Sequence, residues 1–339
     1  MNAPGSSHHV LPQVARRDVS PEALQALQAR FGEQCSLAQA VREQHGRDES
    51  AFTTVPPPAA VVFAESTTDV ADAVRLCAEH RVPVIPFGVG SSLEGHLLAV
   101  QGGISIDVSR MKKVLSINPE DLTVTVQPGV TLEVLDAALA EHGLVYPVFP
   151  GEYSASLGGN VATNAGGMRA VKYGVTRHQV LGLEAVMADG TVITSLTKML
   201  KDNAGYHWKH LLVGSEGTLG IVTEATLRLL PMPPPKTTLL AFFPGIREAG
   251  AAVAAITRAG VVPVTLELIK QGQAKFNIYC SPCHDQTGMG RGIVPARVPA
   301  ALAEQAWESA LKIAGALAYC GVLCVEFFVD SAGALLVNE

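Results

Sequence analysis

The sequence of 339 residues has no run approaching the roughly 20 apolar residues that a helix needs to cross a bilayer. Its first residues lack a charged stretch followed by an apolar one, so we expect no export signal and a cytoplasmic protein. The net charge is −6, and the absence of a basic stripe argues against a nucleic-acid partner. No Ser-His-Asp pattern, carboxylate pair or solenoid repeat stands out. These absences leave a globular chain with no transmembrane segment.

The composition fits such a chain, since 48% of the residues are hydrophobic and 17% are charged. A chain of this length can bury a sizeable core. Without an export signal, cysteines are expected to be reduced thiols. The six cysteines are Cys35, Cys77, Cys280, Cys283, Cys320 and Cys324.

Three glycine-rich segments dominate the sequence. We name them the first glycine segment (residues 86–95), the second glycine segment (156–167) and the third glycine segment (214–223). Glycine allows positive φ and close backbone approach, and the hydroxyl and amide side chains among these glycines can bind a phosphate or a ring. Three such segments in one stretch of chain predict a site for a large dinucleotide.

The regions between these segments predict an α+β unit from about residue 55 to 230. Alternating apolar residues predict strands around 61–63, 82–87, 104–108 and 124–126, and a further strand over 220–230. Helices are predicted after Thr67 and over 131–142. The pair Asp189-Gly190 predicts a hairpin turn between two strands.

A nicotinamide-type dinucleotide fold is the first alternative for the first glycine segment. Gly88 and Gly90 follow a strand, and Asp107 ends a later strand, where a ribose-binding acid would stand. Leu93, however, occupies the place of the third glycine, and residues 97–103 have no helical pattern. A loop whose own N–H groups cradle a pyrophosphate fits better, with hydroxyl donors at residues 91 and 92. Considered alone, the segment is equally compatible with an ordinary tight turn.

Several segments together resemble the FAD-linked D-lactate and glycolate dehydrogenases, which have the vanillyl-alcohol oxidase or p-cresol methylhydroxylase type of FAD-binding fold. The resemblance extends from about residue 42 to 268. The segments that carry it are 44–50, 83–95, 127–129, 164–167, 171–174 and 214–224.

The resemblance implies an α+β, two-subdomain p-cresol methylhydroxylase-type FAD-binding fold with a truncated, atypical C-terminal region. It implies FAD as the cofactor and leaves the catalytic residues unassigned. The implied cofactor-binding residues are Pro86, Phe87, Gly88, Val89, Gly90, Ser91, Ser92, Gly95, Pro150, Gly151, Ser156, Leu157, Gly158, Gly159, Asn160, Thr163, Asn164, Gly166, Gly167, Gly174, Glu216, Gly220, Ile221 and Val222.

The last quarter of the chain departs from that family. The relatives' His-rich segment, which resembles Gly-Asp-Gly-Asn-x-His, is absent here. Cys280, Cys283 and His284 instead resemble the haem-attachment motif of a c-type cytochrome, with a reduced or zinc-scavenging thiol pair as the alternative. We expect neither haem nor another metal to be bound there, because Met289 is too near in sequence to serve as the second axial ligand.

Residues 303–339 resemble the end of an ATP-grasp domain of the carboxyaminoimidazole ribonucleotide synthase kind. In that family, Glu326 and Glu339 would bind magnesium, but the phosphate-gripping parts are missing. A structural appendage without chemistry is the alternative, and the three partial resemblances suggest a chimeric chain.

The implied domains are an N-terminal helical segment 1–54, an FAD-binding domain 55–231, the start of a substrate domain 232–271, a cytochrome-c-like fragment 272–298 and an ATP-grasp-like fragment 299–339.

The resemblance predicts an FAD-dependent D-2-hydroxy acid dehydrogenase that passes a hydride from a small 2-hydroxy acid to flavin N5. Its electron acceptor would be a quinone, a cytochrome or an electron-transfer protein. Two alternatives stay open: a flavin-binding protein without dehydrogenase activity, because the substrate domain is incomplete, and a flavin–haem electron-transfer fusion.

Isolated histidines in a sequence are more often structural than functional. The histidines of this chain that could contact flavin or substrate are His96, His178, His207 and His210.

Overall fold

The computed structural model describes residues 15–50, 55–233, 236–241, 246–269, 322–329 and 335–336. The chain divides into two compact units. The first unit comprises Met1–Gly167 and Val175–Pro231, and the second comprises Met168–Gly174 and Met232–Glu339. None of the described helices combines the length and the apolar character required to span a membrane.

The first unit contains a four-stranded sheet with a mostly parallel core. Its strand order is β1-β2-β4-β3, in which β4 pairs in parallel with both β2 and β3, and β1 pairs antiparallel with β2. Because β3 and β4 run in parallel, the carboxyl ends of the two strands lie at the same edge of the sheet. The first glycine segment follows β3 at that edge. The strands are β1 (Cys35–Ser36), β2 (Ala60–Phe63), β3 (Val84–Phe87) and β4 (Ile104–Asp107).

A second, antiparallel sheet completes the first unit. Its five strands lie in the order β5-β6-β10-β8-β9. The predicted Asp189-Gly190 turn joins β8 to β9, and Gly190 has a φ of +78°, as such a turn requires. The strands are β5 (Val114–Asn118), β6 (Thr123–Val126), β8 (Val180–Met187), β9 (Val192–Ser195) and β10 (Gly220–Arg228), and a separate small pair is formed by β7 (Leu144–Val145) and β11 (Leu230–Pro231).

Short helices connect these strands. The N-terminal region contains α1 and α2, as the sequence predicts, and the Ser20 hydroxyl caps α1 while Pro21 occupies its first turn. The helices are α1 (Pro21–Phe31), α2 (Gln39–Gln44), α3 (Thr67–Glu79), α4 (Leu132–Ala140), α5 (Leu157–Thr163), α7 (Thr176–Gln179) and α8 (Lys209–Leu212), with α6 (Ala170–Tyr173) in the second unit.

Helix α3 packs between the two sheets and forms the centre of the core. Ser66 caps it by accepting a hydrogen bond from the Asp69 N–H, one residue earlier than the sequence predicts. Its apolar face is fully buried together with residues of β2 and β4 and with Val186 and Ile221 of the second sheet. The first glycine segment follows the end of β3, and the third glycine segment leads into the start of β10.

The second glycine segment differs from its prediction as a loop, because Leu157–Thr163 forms helix α5. Ser156 supplies the N-cap, since its hydroxyl oxygen accepts the Gly159 N–H at 3.3 Å. A side chain at Gly158 would collide with Pro128, so glycine allows this helix to pack against the end of β6. The glycines that lower intrinsic helix propensity are therefore the residues that make this packing possible.

The second unit has a sheet of its own around a central strand, β14. Strands β12 and β13 both pair with it in antiparallel fashion, and β15 pairs with its end. The apolar pattern of the tail predicts a strand over 322–329, which β14 confirms, and an amphipathic helix over 304–318, which lies outside the described residues. The elements are β12 (Lys236–Ala241), α9 (Ile246–Arg258), β13 (Leu266–Ile269), β14 (Val322–Val329) and β15 (Leu335–Leu336).

Candidate functional site

A cavity of about 480 Å³ in the first unit is lined by residues of all three glycine segments. Its size lies within the range of ordinary small-molecule and cofactor sites. Residues 86–94 form one wall, residues 155–167 contribute a second, and residues 215–222 contribute a third. Segments that are widely separated in sequence therefore converge on one site.

The first glycine segment lines this cavity and contains a run of unused hydrogen-bond donors. Within the part of the chain that the structure describes, the backbone N–H groups of residues 88 to 92 have no protein acceptor. Gly90 has a φ of +77°, a conformation that a non-glycine residue would adopt only with strain. Successive free N–H groups form a concave site for an anion, and a diphosphate fits such a site.

The first and second glycine segments touch at Gly88 and Ser156. A Cβ atom on Gly88 would lie 2.7 Å from Ser156 Oγ, which is too close for any side chain. Ser156 itself is held by its hydrogen bond to Gly159, and the Gly158 N–H donates to the Pro128 carbonyl at 2.8 Å. Glycine at position 88 thus permits the close approach of the two walls.

Asn164 and Arg177 connect the second segment to the third. Asn164 ends α5 in the left-handed conformation, with φ 50° and ψ 48°, and its Oδ1 accepts the Arg177 N–H at 2.9 Å. The Arg177 guanidinium donates to the Val213 carbonyl at 2.7 Å, and the Gly214 N–H donates to the Val161 carbonyl at 3.0 Å. These bonds place the third segment beside the C-terminal end of α5.

The third segment also touches the first. Gly217 has a φ of +77°, and a Cβ atom there would lie 2.6 Å from Pro86 Cγ. Glu216 has a positive φ as well, and its N–H donates to the Ala162 carbonyl at 2.8 Å. The three walls of the cavity are therefore in mutual contact.

Asn160 supplies a second kind of unused donor. The residue is only 3% exposed, yet its side-chain Nδ2 has no hydrogen-bond partner among the described residues. An unpaired buried donor costs about 1–3 kcal/mol. Because Asn160 also lines the cavity, a ligand with an acceptor at this point would satisfy the amide. This orphan donor and the free N–H groups of residues 88 to 92 both fit a cofactor rich in acceptor atoms.

Asp107 has a structural role that excludes it as a ribose-binding acid. It is 3% exposed, and its Oδ2 lies 2.8 Å from His45 Nε2. Its other oxygen accepts the Ser109 N–H at 2.6 Å. Both carboxylate oxygens are thus occupied inside the core. The observation removes the last sequence feature that favoured a nicotinamide-type fold.

The structure brings most of the predicted cofactor residues together in the cavity. The predicted residues that line it are Pro86, Phe87, Gly88, Val89, Gly90, Ser91, Ser92, Pro150, Ser156, Gly158, Gly159, Asn160, Thr163, Asn164, Gly166, Gly167, Glu216, Gly220, Ile221 and Val222.

The other four predicted residues lie elsewhere. Leu157 is 1% exposed and packs into the core instead. Gly95 donates its N–H to Asp48, and Gly151 has a φ of +105° in open space. Gly174 belongs to the second unit, where it follows α6. That any of these residues binds FAD stays a prediction.

Other lining residues were not predicted from the sequence. Pro128 and Gly217 carry a usable signal, because both stand in segments with the family's glycine and proline pattern. The apolar and acidic lining residues have no such signal in the sequence, because residues of these types are common at any protein surface. These additional residues are Leu93, Glu94, Leu97, Val108, Pro128, Glu152, Ala155, Ala162, Ala165, Leu212, Ser215 and Gly217.

Of the histidines noted in the sequence, His96 lines the cavity, with its Nδ1 3.4 Å from Ser92 Oγ. The other three lie near α7 and α8, outside the lining. Burial, followed by the charges of Lys209 and Arg177, lowers the pKa of His210. This histidine is therefore neutral at physiological pH.

No cysteine of the described part of the chain lines this cavity. Cys35 and Cys77 are free and buried, and burial raises the pKa of Cys77 to about 12, so it is an unreactive thiol. Among the described residues, no cluster of three His, Cys, Asp or Glu side chains could hold a metal ion. The haem motif at residues 280–284 lies outside the described residues.

Comparison with known proteins shows which families the two halves of the chain resemble. The family model for an FAD binding domain matches residues 58–195. This region of the chain therefore resembles an FAD binding domain. An ATP-grasp domain model matches residues 267–339, which confirms the resemblance of the tail. That match begins before the predicted fragment 272–298, whose likeness to a cytochrome stays a prediction.

Two relatives of the chain are named as an oxidase and a dehydrogenase. It is 44% identical over 215 residues to the glycolate oxidase subunit of Bacillus subtilis, which covers 63% of this chain and 46% of that protein. It is 43% identical over 203 residues to the D-2-hydroxyglutarate dehydrogenase of Xanthomonas citri pv. viticola, which covers 60% of this chain and 43% of that protein. The chain spans about half the length of the curated relatives it matches.

A solved structure of alkyldihydroxyacetonephosphate synthase has the same fold. The TM-score is 0.69 at 23% sequence identity, and the match covers 92% of this chain and 56% of the synthase chain. The likeness concerns the fold alone. Together with the FAD-domain match, it confirms the predicted p-cresol methylhydroxylase-type FAD-binding fold.

Proposed function

We propose that the chain is an FAD-dependent oxidoreductase that acts on a D-2-hydroxy acid of the lactate or glycolate type. The observation that carries the proposal is the cavity with unused donors at residues 88 to 92 and at Asn160. When bound, FAD supplies a hydride acceptor at its N5 atom. Relatives named as glycolate oxidase and D-2-hydroxyglutarate dehydrogenase support the choice of substrate class.

The protein's part in the reaction is to bind and orient. The N–H groups of residues 88 to 92 would hold the diphosphate, whose negative charge such preorganised dipoles would stabilise. Asn160 donates its unpaired amide hydrogen to an acceptor of the cofactor. Residues 164–167 and Pro150 also line the cavity and would hold the isoalloxazine end of the cofactor. The contacts among the three glycine segments keep these groups in fixed positions.

We propose a small 2-hydroxy acid as the substrate and a quinone, a cytochrome or an electron-transfer protein as the electron acceptor. A relative from Arabidopsis thaliana is named as a mitochondrial D-lactate dehydrogenase (cytochrome), and this name supports a cytochrome as the acceptor. The chain is 38% identical to it over 232 residues, which cover 68% of this chain and 41% of that protein. A cytoplasmic location completes the proposal.

An anaerobic absorbance experiment tests the proposal. The full chain is loaded with FAD, freed of excess cofactor and mixed with D-lactate, glycolate or D-2-hydroxyglutarate in turn. We expect the visible flavin bands to bleach with at least one of them, while L-lactate serves as the stereochemical control. Retained flavin without bleaching would support a flavin-binding protein that lacks dehydrogenase activity. A haem Soret band would support the electron-transfer fusion.

A further inference from the structure

Residues 45–50 lie directly against the first glycine segment. Asp48 Oδ2 accepts the Gly95 N–H at 2.8 Å, and its Oδ1 accepts the Ser50 N–H at 3.0 Å. The Glu49 N–H donates to the Ser92 carbonyl at 2.9 Å. Two hydrogen bonds therefore join this stretch to the end of the cavity wall.

The other side of residues 45–50 is fixed to the core by His45. This histidine is 6% exposed, with its Nδ1 2.8 Å from the Val41 carbonyl and its Nε2 2.8 Å from Asp107 Oδ2. Its ring centroid lies 4.2 Å from that of Phe87, the last residue of β3. Residues 45–50 thus bridge the buried end of the sheet and the far end of the glycine segment.

The first glycine segment needs such an external support. Glycines at positions 88, 90 and 95 give its backbone wide conformational freedom, and ordering such a chain costs entropy. The N–H groups that face the cavity have no protein acceptor among the described residues, so they do not hold the segment in place. The bonds at Ser92 and Gly95 restrain it without using any donor intended for the ligand.

We propose that Asp48 is a positioning residue for the cofactor. It holds Gly95, while the adjacent Glu49 N–H holds Ser92, and the donors of residues 88 to 92 consequently stay aimed at the FAD diphosphate. Asp48 acts through the glycine segment and does not line the cavity. This inference rests on the proposed FAD site.

The test compares Asp48→Ala, Asp48→Asn and Glu49→Ala in the full chain. Apoprotein is titrated with FAD, and the change in flavin fluorescence gives the dissociation constant. We expect Asp48→Ala to bind FAD about 10- to 100-fold more weakly, because a hydrogen bond to a charged acceptor is lost. Asp48→Asn keeps one acceptor oxygen and should lie between that variant and the wild type. Glu49→Ala keeps the backbone N–H and removes an exposed side chain, so its affinity should be unchanged.

A parallel titration with riboflavin distinguishes positioning from general destabilisation, since riboflavin has no diphosphate. Asp48→Ala should lose affinity for FAD and not for riboflavin, while the melting temperature of its apoprotein changes little. Equal losses for both probes, or an Asp48→Asn variant that fails to fold, would overturn the inference and leave Asp48 a structural residue. Wild-type affinity for FAD in Asp48→Ala would overturn it as well. Failure of the wild type and Glu49→Ala to bind FAD would instead overturn the proposed FAD site itself.

Discussion

Gly88 and Ser156 meet at a contact that leaves no room for a side chain, since a Cβ atom on Gly88 would lie 2.7 Å from Ser156 Oγ. This contact joins two walls of the cavity. Any residue larger than glycine at position 88 must push the first glycine segment away from α5. The geometry of the donors at residues 88 to 92 therefore depends on this glycine.

We expect Gly88→Val to abolish retention of FAD while the chain stays folded. Overpacking of this kind costs about 1–3 kcal/mol, which the unit can absorb as a local shift of the segment. Gly250→Ala is the matched control, because this glycine lies in α9 with open space around its Cβ position. Flavin absorbance after gel filtration measures the effect, and a yellow Gly88→Val protein would contradict it.

Asn160→Ala should separate cofactor affinity from stability. The variant removes a buried donor that has no partner among the described residues, so the apoprotein should be as stable as the wild type or more so. The affinity for FAD should fall about 10-fold or more, because the cofactor loses a hydrogen bond. Thermal melting measures the stability of the apoprotein, and FAD titration measures the affinity for the cofactor. A loss of stability without a loss of affinity would show that Asn160 acts within the fold.

The buried pair of His45 and Asp107 should matter far more to stability than an exposed ion pair. His45→Leu leaves the Asp107 carboxylate buried without its ring partner, which should cost about 3 kcal/mol or more. Glu65→Gln disrupts the exposed pair with Arg110, and its cost should stay below about 1 kcal/mol. Denaturant unfolding of the two variants measures both values. Equal costs would refute the structural role of the buried pair.

Glu224→Gln should stabilise the protein at neutral pH. Glu224 lies opposite Glu184 across β10 and β8, and burial followed by the Glu184 charge raises the pKa of Glu224 above its usual 4.5. A raised carboxyl pKa means that the folded state resists ionisation, so stability is lost as the pH rises through and above 4.5. The gain at pH 7 should be roughly 0.2–1 kcal/mol and should vanish below pH 4. Melting curves across this range provide the check, and a gain that persists in acid would contradict the cause.

Local patterns were sufficient to predict much of the first unit. The Asp189-Gly190 turn and the strand that begins at Gly220 both follow from residue type and spacing. These features depend on backbone preferences that act over a few residues. Residue types a few positions apart determine such preferences, so they can be predicted from the sequence.

Features that depend on distant contacts could not be predicted in this way. Leu157–Thr163 looks like a loop by propensity, but it is a helix because Ser156 caps it and Pro128 packs on its glycines. His45 and Asp107 are 62 residues apart, and nothing local indicates that they pair. The support that Asp48 gives to Gly95 is invisible for the same reason. Tertiary packing decides all three.

The most direct test of the central claim is the stoichiometry of FAD on the purified full-length chain. The protein is incubated with excess FAD, passed through gel filtration and denatured, and the released flavin is identified and quantified against protein concentration. The account predicts one FAD per chain, released without covalent attachment, from a folded and soluble protein. A folded protein that emerges colourless would contradict it.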